Sequence, residues 1–188
     1  NIDISVLSNY PQETRKTYGV QAVNRWNFRE VRAAIKHADG LISGGGSLLQ
    51  DQTGLKSIPY YAGIMQLAVW LKKPVFVYAQ GMGPIQRVIS KWIVRHVLNK
   101  VNQITVRDEG SKRLLEEIGV KDKENIHVVP DPVLGLDAVS FMSDRQFEKN
   151  SYITVSVRDW ESDINFKSHI AQCLDELVRM GEQVVFVP

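Results

Sequence analysis

The sequence predicts an α/β fold in which parallel strands alternate with crossover helices. Short β-branched runs recur along the chain, and longer segments with helical apolar spacing lie between them, which is the pattern of βαβ units. Strands are predicted at Asp3–Leu7, Gly40–Ser43, Val75–Ala79, Gln103–Val106, Ile126–Val129, Tyr152–Val157 and Val184–Val187.

The predicted helices fill the intervals between these strands. In Phe28–His37, Val31 and Ile35 share one face at the spacing of a buried stripe. Gly119 and Gly181 stand where a glycine commonly ends a helix. The other helices are predicted at Tyr60–Leu71, Gln86–Lys100, Glu109–Ile118 and Ser168–Met180.

Composition excludes several classes of protein. With 188 residues and 44% hydrophobic residues, the chain can form one core or two small lobes and is not a disordered tail. Its formal charge of +2 lacks the basic excess of a dedicated nucleic-acid binder. The single Cys173 excludes an internal disulfide or a cysteine-based metal cluster, and the histidines show no metal-binding spacing, so no metal is predicted.

The regular alternation lapses between Pro132 and Asn150, where a polar stretch precedes a new strand. We therefore predict an N-terminal Rossmann-like lobe over residues 1–142 and the start of a second Rossmann-like lobe over residues 143–188. One βαβ unit is too small to bury its own core. The expectation is that the chain is a piece of a longer, two-lobed protein.

Residues suited to binding follow the predicted strands, at the sheet edge where α/β proteins bind ligands. Gly44, Gly45 and Gly46 allow a backbone to approach a phosphate or carboxylate closely, and Ser47 offers a further hydrogen bond. The alternative is a tight turn. No Walker lysine is present to indicate a nucleotide.

Two arginines are candidates for an anion clamp, since a guanidinium matches a carboxylate or phosphate with paired hydrogen bonds. Arg107 and Arg158 each follow a predicted strand, and for each the alternative is an ion pair with a neighbouring aspartate. Trp160 is a candidate wall for a sugar ring. Asp131, between two prolines, either accepts a hydrogen bond from a ligand hydroxyl or holds a turn, and turn chemistry is favoured.

The predicted helix Gln86–Lys100 places Arg87, Lys91 and Arg95 four residues apart on one face, beside Trp92. Such a face suits an anionic membrane or a diphosphate. The favoured alternative is an ordinary solvated helix face.

Five segments in the same order, each at a predicted strand end, resemble the bacterial polysaccharide pyruvyl transferases, especially the CsaB type that modifies secondary cell-wall polymers. They are LISGGGSLLQD at 41–51, YAQGMGP at 78–84, TVRDEGS at 105–111, VPDPV at 129–133 and VSVRDW at 155–160.

The resemblance implies a GT-B-like arrangement of two lobes and a cytoplasmic enzyme that needs no cofactor. It implies that phosphoenolpyruvate donates a pyruvyl group as a ketal across two sugar hydroxyls, with N-acetylmannosamine of a lipid-linked cell-wall precursor as the acceptor. Arg107 and Arg158 would bind the donor anion, Gly44 to Ser47 would form a backbone cradle, and Trp160 would contact sugar or donor. The basic helix face through Arg87, Lys91 and Arg95 would approach the diphosphate-lipid end at the inner membrane surface.

Family members usually begin with a further strand and glycine-rich loop, and they carry a downstream histidine motif suited to a general acid. Neither segment is in this sequence, so we name no catalytic acid and expect the 188-residue piece alone to be inactive. Two alternatives stay open. One is a GT-B glycosyltransferase that uses a nucleotide sugar, and the other is a non-catalytic lobe that binds anionic glycans through the basic helix face.

Overall fold

The structure, a computed structural model, describes residues 2–51, 54, 56–121, 125–137, 152–157 and 165–187. The chain divides into two compact units, Asn1–Leu136 and Asp137–Pro188. The predicted lobe boundary, between residues 142 and 143, lies outside the described residues. Each unit is described by itself, and the GT-B arrangement stays a prediction.

The first unit alternates strands and helices, which confirms the predicted α/β class. Its strands are β1 (Ser5–Ser8), β2 (Gln21–Asn24), β3 (Leu41–Gly44), β4 (Val75–Gln80), β5 (Gln103–Val106) and β6 (Ile126–Val128). Its helices are α1 (Pro11–Tyr18), α2 (Phe28–His37), α3 (Ser57–Trp70), α4 (Val88–Leu98) and α5 (Glu109–Glu117), followed by a 3₁₀ turn at Pro132–Gly135.

All strand pairs in this unit are parallel. Strands β1 and β2 form one sheet, and β3, β4, β5 and β6 form a second sheet in sequence order. Because each strand of the second sheet runs in the same direction, the loops that follow β3 to β6 leave from one edge. This carboxyl edge carries the glycine loop and the other conspicuous residues of unit 1.

The side chains along β4 point alternately to the two faces of the larger sheet, one buried and one exposed. Val75 and Val77 are fully buried beneath the helices, whereas Phe76 and Tyr78 are exposed on the opposite face. The side chains of the core are aliphatic, as is usual for the buried strands of a parallel sheet. Its largest fully buried apolar side chains include Leu49, Ile58, Met65, Leu98, Leu115 and Ile126.

Two elements were not predicted from the sequence, α1 and β2. Helix α1 buries no residue, so it has no apolar periodicity to detect. Its available signals were Pro11 in the first turn and Gly19, which ends the helix with a φ of 65°. Strand β2 buries only Ala22, so its apolar pattern is equally weak.

The second unit is a single parallel βαβ arrangement. It consists of β7 (Tyr152–Val155), α6 (Phe166–Arg179) and β8 (Gln183–Phe186). The predicted strands and helix occur within a few residues of their expected ends. Neither unit, over its described residues, contains a helix with the length and apolarity needed to cross a bilayer.

Candidate functional site

The glycine loop leaves β3 at the carboxyl edge of the larger sheet. Gly45 and Gly46 have φ angles of 71° and 61°, which favour glycine strongly over any residue with a Cβ. The Gly45 N–H donates to the Tyr78 carbonyl at 3.1 Å. No acceptor among the described residues pairs with the N–H groups of Gly46 or Ser47. The loop therefore offers backbone donors to an anion.

The loops after β3 and β4 run side by side and extend the strand pairing beyond the sheet. The Gly81 N–H donates to the Gly46 carbonyl at 2.9 Å, and the Gly83 N–H donates to the Leu49 carbonyl at 3.1 Å. Between them, Leu49 and Met82 form an isolated parallel bridge. These contacts hold the two loops in a fixed relation.

Arg107 follows β5 and lies across both loops. Its Nη2 donates to the Ser47 hydroxyl at 3.1 Å, and its backbone N–H donates to the Gln80 carbonyl at 3.1 Å. The guanidinium lies against the Gly81 backbone. A Cβ on Gly81 would be 2.8 Å from Arg107 Cζ and 2.7 Å from Ser47 Oγ, so this position excludes a side chain unless the arginine moves.

Two aspartate side chains lie near the Arg107 guanidinium, but neither is within hydrogen-bond distance of it. Asp108 Oδ2 is 3.7 Å from Arg107 Nε, and Asp131 Oδ2 is 3.6 Å from Arg107 Nη1. Both separations exceed a hydrogen bond. The other oxygen of each carboxylate is used structurally, since Asp108 accepts from the Ser111 N–H and Asp131 from the Val133 N–H. The Arg107 side chain is 37% exposed, which leaves it accessible to a ligand.

A bulge at the end of β4 shapes the site. The pairing of β4 with β5 shifts register between Val77 and Gln80, and Ala79 has a φ of 46°, a conformation that strains a residue with a Cβ. The Thr105 hydroxyl supports the bulge by accepting from the Ala79 N–H at 2.7 Å. Bulges of this kind are common beside functional sites.

Gln80, next to the bulge, is completely buried. Its Nε2 donates to the Ser43 hydroxyl at 3.0 Å, and its Oε1 has no hydrogen-bond partner among the described residues. A buried amide oxygen without a partner is costly, so it marks a place where water or a ligand donor would be favourable. Sequence reasoning missed Gln80, although a polar residue at the end of an apolar strand was the available signal.

Asp51 lies at the end of the segment that contains the glycine loop. Its side chain contacts the residues that precede α4. Its carboxylate accepts from the Gln86 N–H at 3.0 Å and the Arg87 N–H at 2.9 Å. Burial opposes its charge, but the hydrogen bonds from Arg87 and Gln86 hold the pKa of this carboxyl below its usual value. Helix α4 begins at Val88 rather than at the predicted Gln86, because Arg87 has an extended backbone and is the N-cap residue.

The structure brings most of the predicted site residues together. Those that meet at this edge are Gly44, Gly45, Gly46, Ser47, Arg107 and Asp131. Arg158 and Trp160 lie outside the described residues. Asp131 holds the 3₁₀ turn, as its turn chemistry predicts, and also faces Arg107. Within the described part of the chain, no group of His, Cys, Asp and Glu is placed to hold a metal ion.

These features define a class of protein, a parallel α/β protein whose sheet edge carries glycine turns and an accessible arginine, an arrangement that suits an anion. The profile of the polysaccharide pyruvyl transferase family matches residues 1–188, and the chain belongs to that family. This match confirms the resemblance of the five motifs.

The comparison with curated proteins gives a distant relative. The chain is 25% identical over 150 residues to the amylovoran biosynthesis protein AmsJ of Erwinia amylovora. The match covers 80% of this chain and 33% of that protein, so the chain spans about a third of the relative's length. No solved structure matches the chain.

Proposed function

We propose that the protein transfers a pyruvyl group from phosphoenolpyruvate to two hydroxyls of a sugar, with N-acetylmannosamine of a lipid-linked cell-wall precursor as the acceptor. Membership of the family makes a pyruvyl transfer the expected chemistry. The observation that carries the proposal is the position of Arg107, which lies on the Gly81 backbone beside the glycine loop with its guanidinium accessible.

The proposed reaction makes specific demands on the site. Both acceptor oxygens bond to the central carbon of the donor, and the bond from that carbon to the phosphate oxygen breaks. One hydroxyl proton goes to the methylene carbon, which becomes a methyl group, and the other leaves with the phosphate. Donor binding therefore needs groups that hold a carboxylate and a phosphate.

The described residues supply part of this requirement. Arg107 presents a planar set of N–H donors to one anionic group of the donor. The N–H groups of Gly46 and Ser47 lie beside it and suit the same charge. Asp131 Oδ2 is 3.6 Å from the guanidinium, beyond hydrogen-bond distance, so it does not occupy the N–H donors of Arg107. We propose that Arg158 and Trp160 also bind the substrates, Arg158 through the donor anion and Trp160 through sugar or donor.

The test is acceptor-dependent release of phosphate from phosphoenolpyruvate by the full-length protein that contains this chain. Arg107→Ala and Arg158→Ala are each expected to reduce kcat/KM at least about 100-fold, which corresponds to roughly 2.7 kcal/mol of transition-state stabilisation. Arg113→Ala is the matched control, since Arg113 is an exposed arginine on α5. Full activity in Arg107→Ala would contradict the proposal.

Two further outcomes separate the pyruvyl transferase from other functions. Phosphate release with mannosamine acceptors but not with other sugars would support the proposed acceptor. Tight binding of UDP together with no phosphate release would favour a nucleotide-sugar glycosyltransferase.

A further inference from the structure

Helix α4 exposes several apolar side chains to solvent. Ser90, Val94, Val97 and Leu98 face the core and are buried. On the other side of the helix, Val88, Ile89 and Trp92 are 84%, 61% and 51% exposed. The helix is therefore apolar on both sides, which is unusual for one that packs on a sheet and faces water.

Basic side chains surround these exposed apolar residues. Arg87, Lys91 and Arg95 are all exposed along the same helix. We call the six residues Arg87, Val88, Ile89, Lys91, Trp92 and Arg95 the α4 face. Their mixture of long cationic side chains, aliphatic groups and one tryptophan is typical of helices that lie in a membrane interface.

The α4 face lies within a long basic stretch of the sequence. Between Asp51 and Asp108 there is no acidic residue, and the same stretch contains eight lysines and arginines. This stretch includes α3, which packs against α4 and brings no charged side chain within its own length. A chain with a formal charge of only +2 thus contains a long basic stretch that includes both helices.

The α4 face begins at the edge of the sheet that carries the site. The Asp51 carboxylate joins the glycine loop to the Gln86 and Arg87 N–H groups, where α4 starts. Ser47 in the same loop contacts Arg107. The exposed first turn of α4 and the accessible arginine therefore lie at the same end of unit 1.

We propose that the α4 face docks on an anionic lipid bilayer, with Val88, Ile89 and Trp92 entering the interface and the basic side chains contacting headgroups. Anionic lipid complements the absence of acidic residues in this stretch, and tryptophan is favoured at the water interface. A symmetric contact with a second copy would place two basic faces opposite each other, which is unfavourable. Docking would deliver a lipid-linked acceptor to the site, and this link alone rests on the proposed function.

Sedimentation with lipid vesicles tests the docking without donor or acceptor present. The protein should bind vesicles of phosphatidylcholine and phosphatidylglycerol, bind vesicles of phosphatidylcholine weakly, and dissociate as salt is raised. The triple variant Arg87→Gln, Lys91→Gln, Arg95→Gln should bind the anionic vesicles about 100-fold less tightly, since each basic side chain near such a surface contributes about fivefold.

The matched control removes three exposed charges from another helix. Arg29→Gln, Arg32→Gln and Lys36→Gln on α2 should leave most of the vesicle binding in place. A second measurement uses brominated lipids, which should quench the fluorescence of the wild-type protein more than that of Trp92→Phe. Quenching depends on Trp92 entering the interface, so it does not require the triple variant to fold.

Equal vesicle binding by the α4 and α2 variants would overturn the proposal, as would equal quenching of wild type and Trp92→Phe. Loss of a dimer, rather than of vesicle binding, in the α4 variant would show that the face binds a second copy and would also overturn it. Phosphate release with a water-soluble acceptor is a separate readout. Docking can fail while transfer persists, and transfer can fail while docking persists.

Discussion

Arg25 and Arg107 both follow a parallel strand at its carboxyl end, but their surroundings differ. The Arg25 guanidinium lies over the rings of Trp26, Tyr60 and Tyr61, with Cζ 5.1, 4.3 and 5.3 Å from the ring centroids. Its Nε is buried and has no partner among the described residues. Arg107 instead lies on a glycine backbone between a hydroxyl and two loosely placed carboxylates.

This difference indicates that the two arginine side chains have separate roles. Burial opposes the charge of Arg25, but interactions with the Tyr61 and Tyr60 side chains raise its pKa above the usual value. Its aromatic contacts connect the segment after β2 to α3. Arg107 is held by weak and replaceable contacts, which suits a residue that exchanges them for a ligand.

Among variants that keep Arg107 itself, the largest expected effect comes from adding a methyl group at Gly81, where the arginine lies. Gly81→Ala should lower the kcat/KM of phosphate release between about 10- and 100-fold, because displacing a positioned group by about 1 Å is that costly. The midpoint of thermal unfolding should hardly change, since the new Cβ meets the side-chain atoms of Ser47 and Arg107 rather than backbone.

Gly83→Ala is the matched control for this prediction. Gly83 has a φ of 84°, and a Cβ there would be 2.5 Å from Leu114 Cδ2. This variant should lose about 1–3 kcal/mol of unfolding free energy. If Gly81→Ala unfolded as readily as Gly83→Ala, the site would not be distinguishable from ordinary packing.

A smaller effect, on stability rather than function, is expected at Arg25. Arg25→Ala should lower the free energy of unfolding by about 1–2 kcal/mol, since it removes cation–π contacts and the packing of the side-chain stem. Urea titration measures this loss. The affinity for phosphoenolpyruvate should stay as in the wild type, and a selective loss of that affinity would assign Arg25 to the site.

The smallest effect depends on pH and concerns Asp51. Because its pKa is lower in the folded state, ionised Asp51 adds stability above its usual value of 3.8, and this stability is lost as pH falls through the lowered value. Asp51→Asn should cost about 1 kcal/mol at neutral pH, because a neutral amide oxygen accepts from the Gln86 and Arg87 N–H groups less strongly than a carboxylate does. The difference from wild type should vanish in acid. A penalty that persists at low pH would trace to packing instead of charge.

The sequence predicted the site residues whose positions follow from the order of the strands. Gly44 to Ser47, Arg107 and Asp131 lie together because parallel strands end at a common edge, a rule that needs only the strand assignments. The roles of Gln80 and Asp51 depend on contacts with Ser43 and Arg87, 37 and 36 residues away in sequence. A local sequence pattern does not indicate such distant contacts. The polar helix α1 was not predicted because it buries no residue and so has no apolar periodicity.

The central claim, that Arg107 at the carboxyl edge of the larger sheet binds the donor, is tested most directly by calorimetric titration of phosphoenolpyruvate. The titration compares wild type with Arg107→Ala, and Arg113→Ala serves as the control. The account predicts that Arg107→Ala loses at least about tenfold in affinity, or roughly 1.4 kcal/mol, while the control binds as the wild type does. Equal affinities in all three proteins would contradict it.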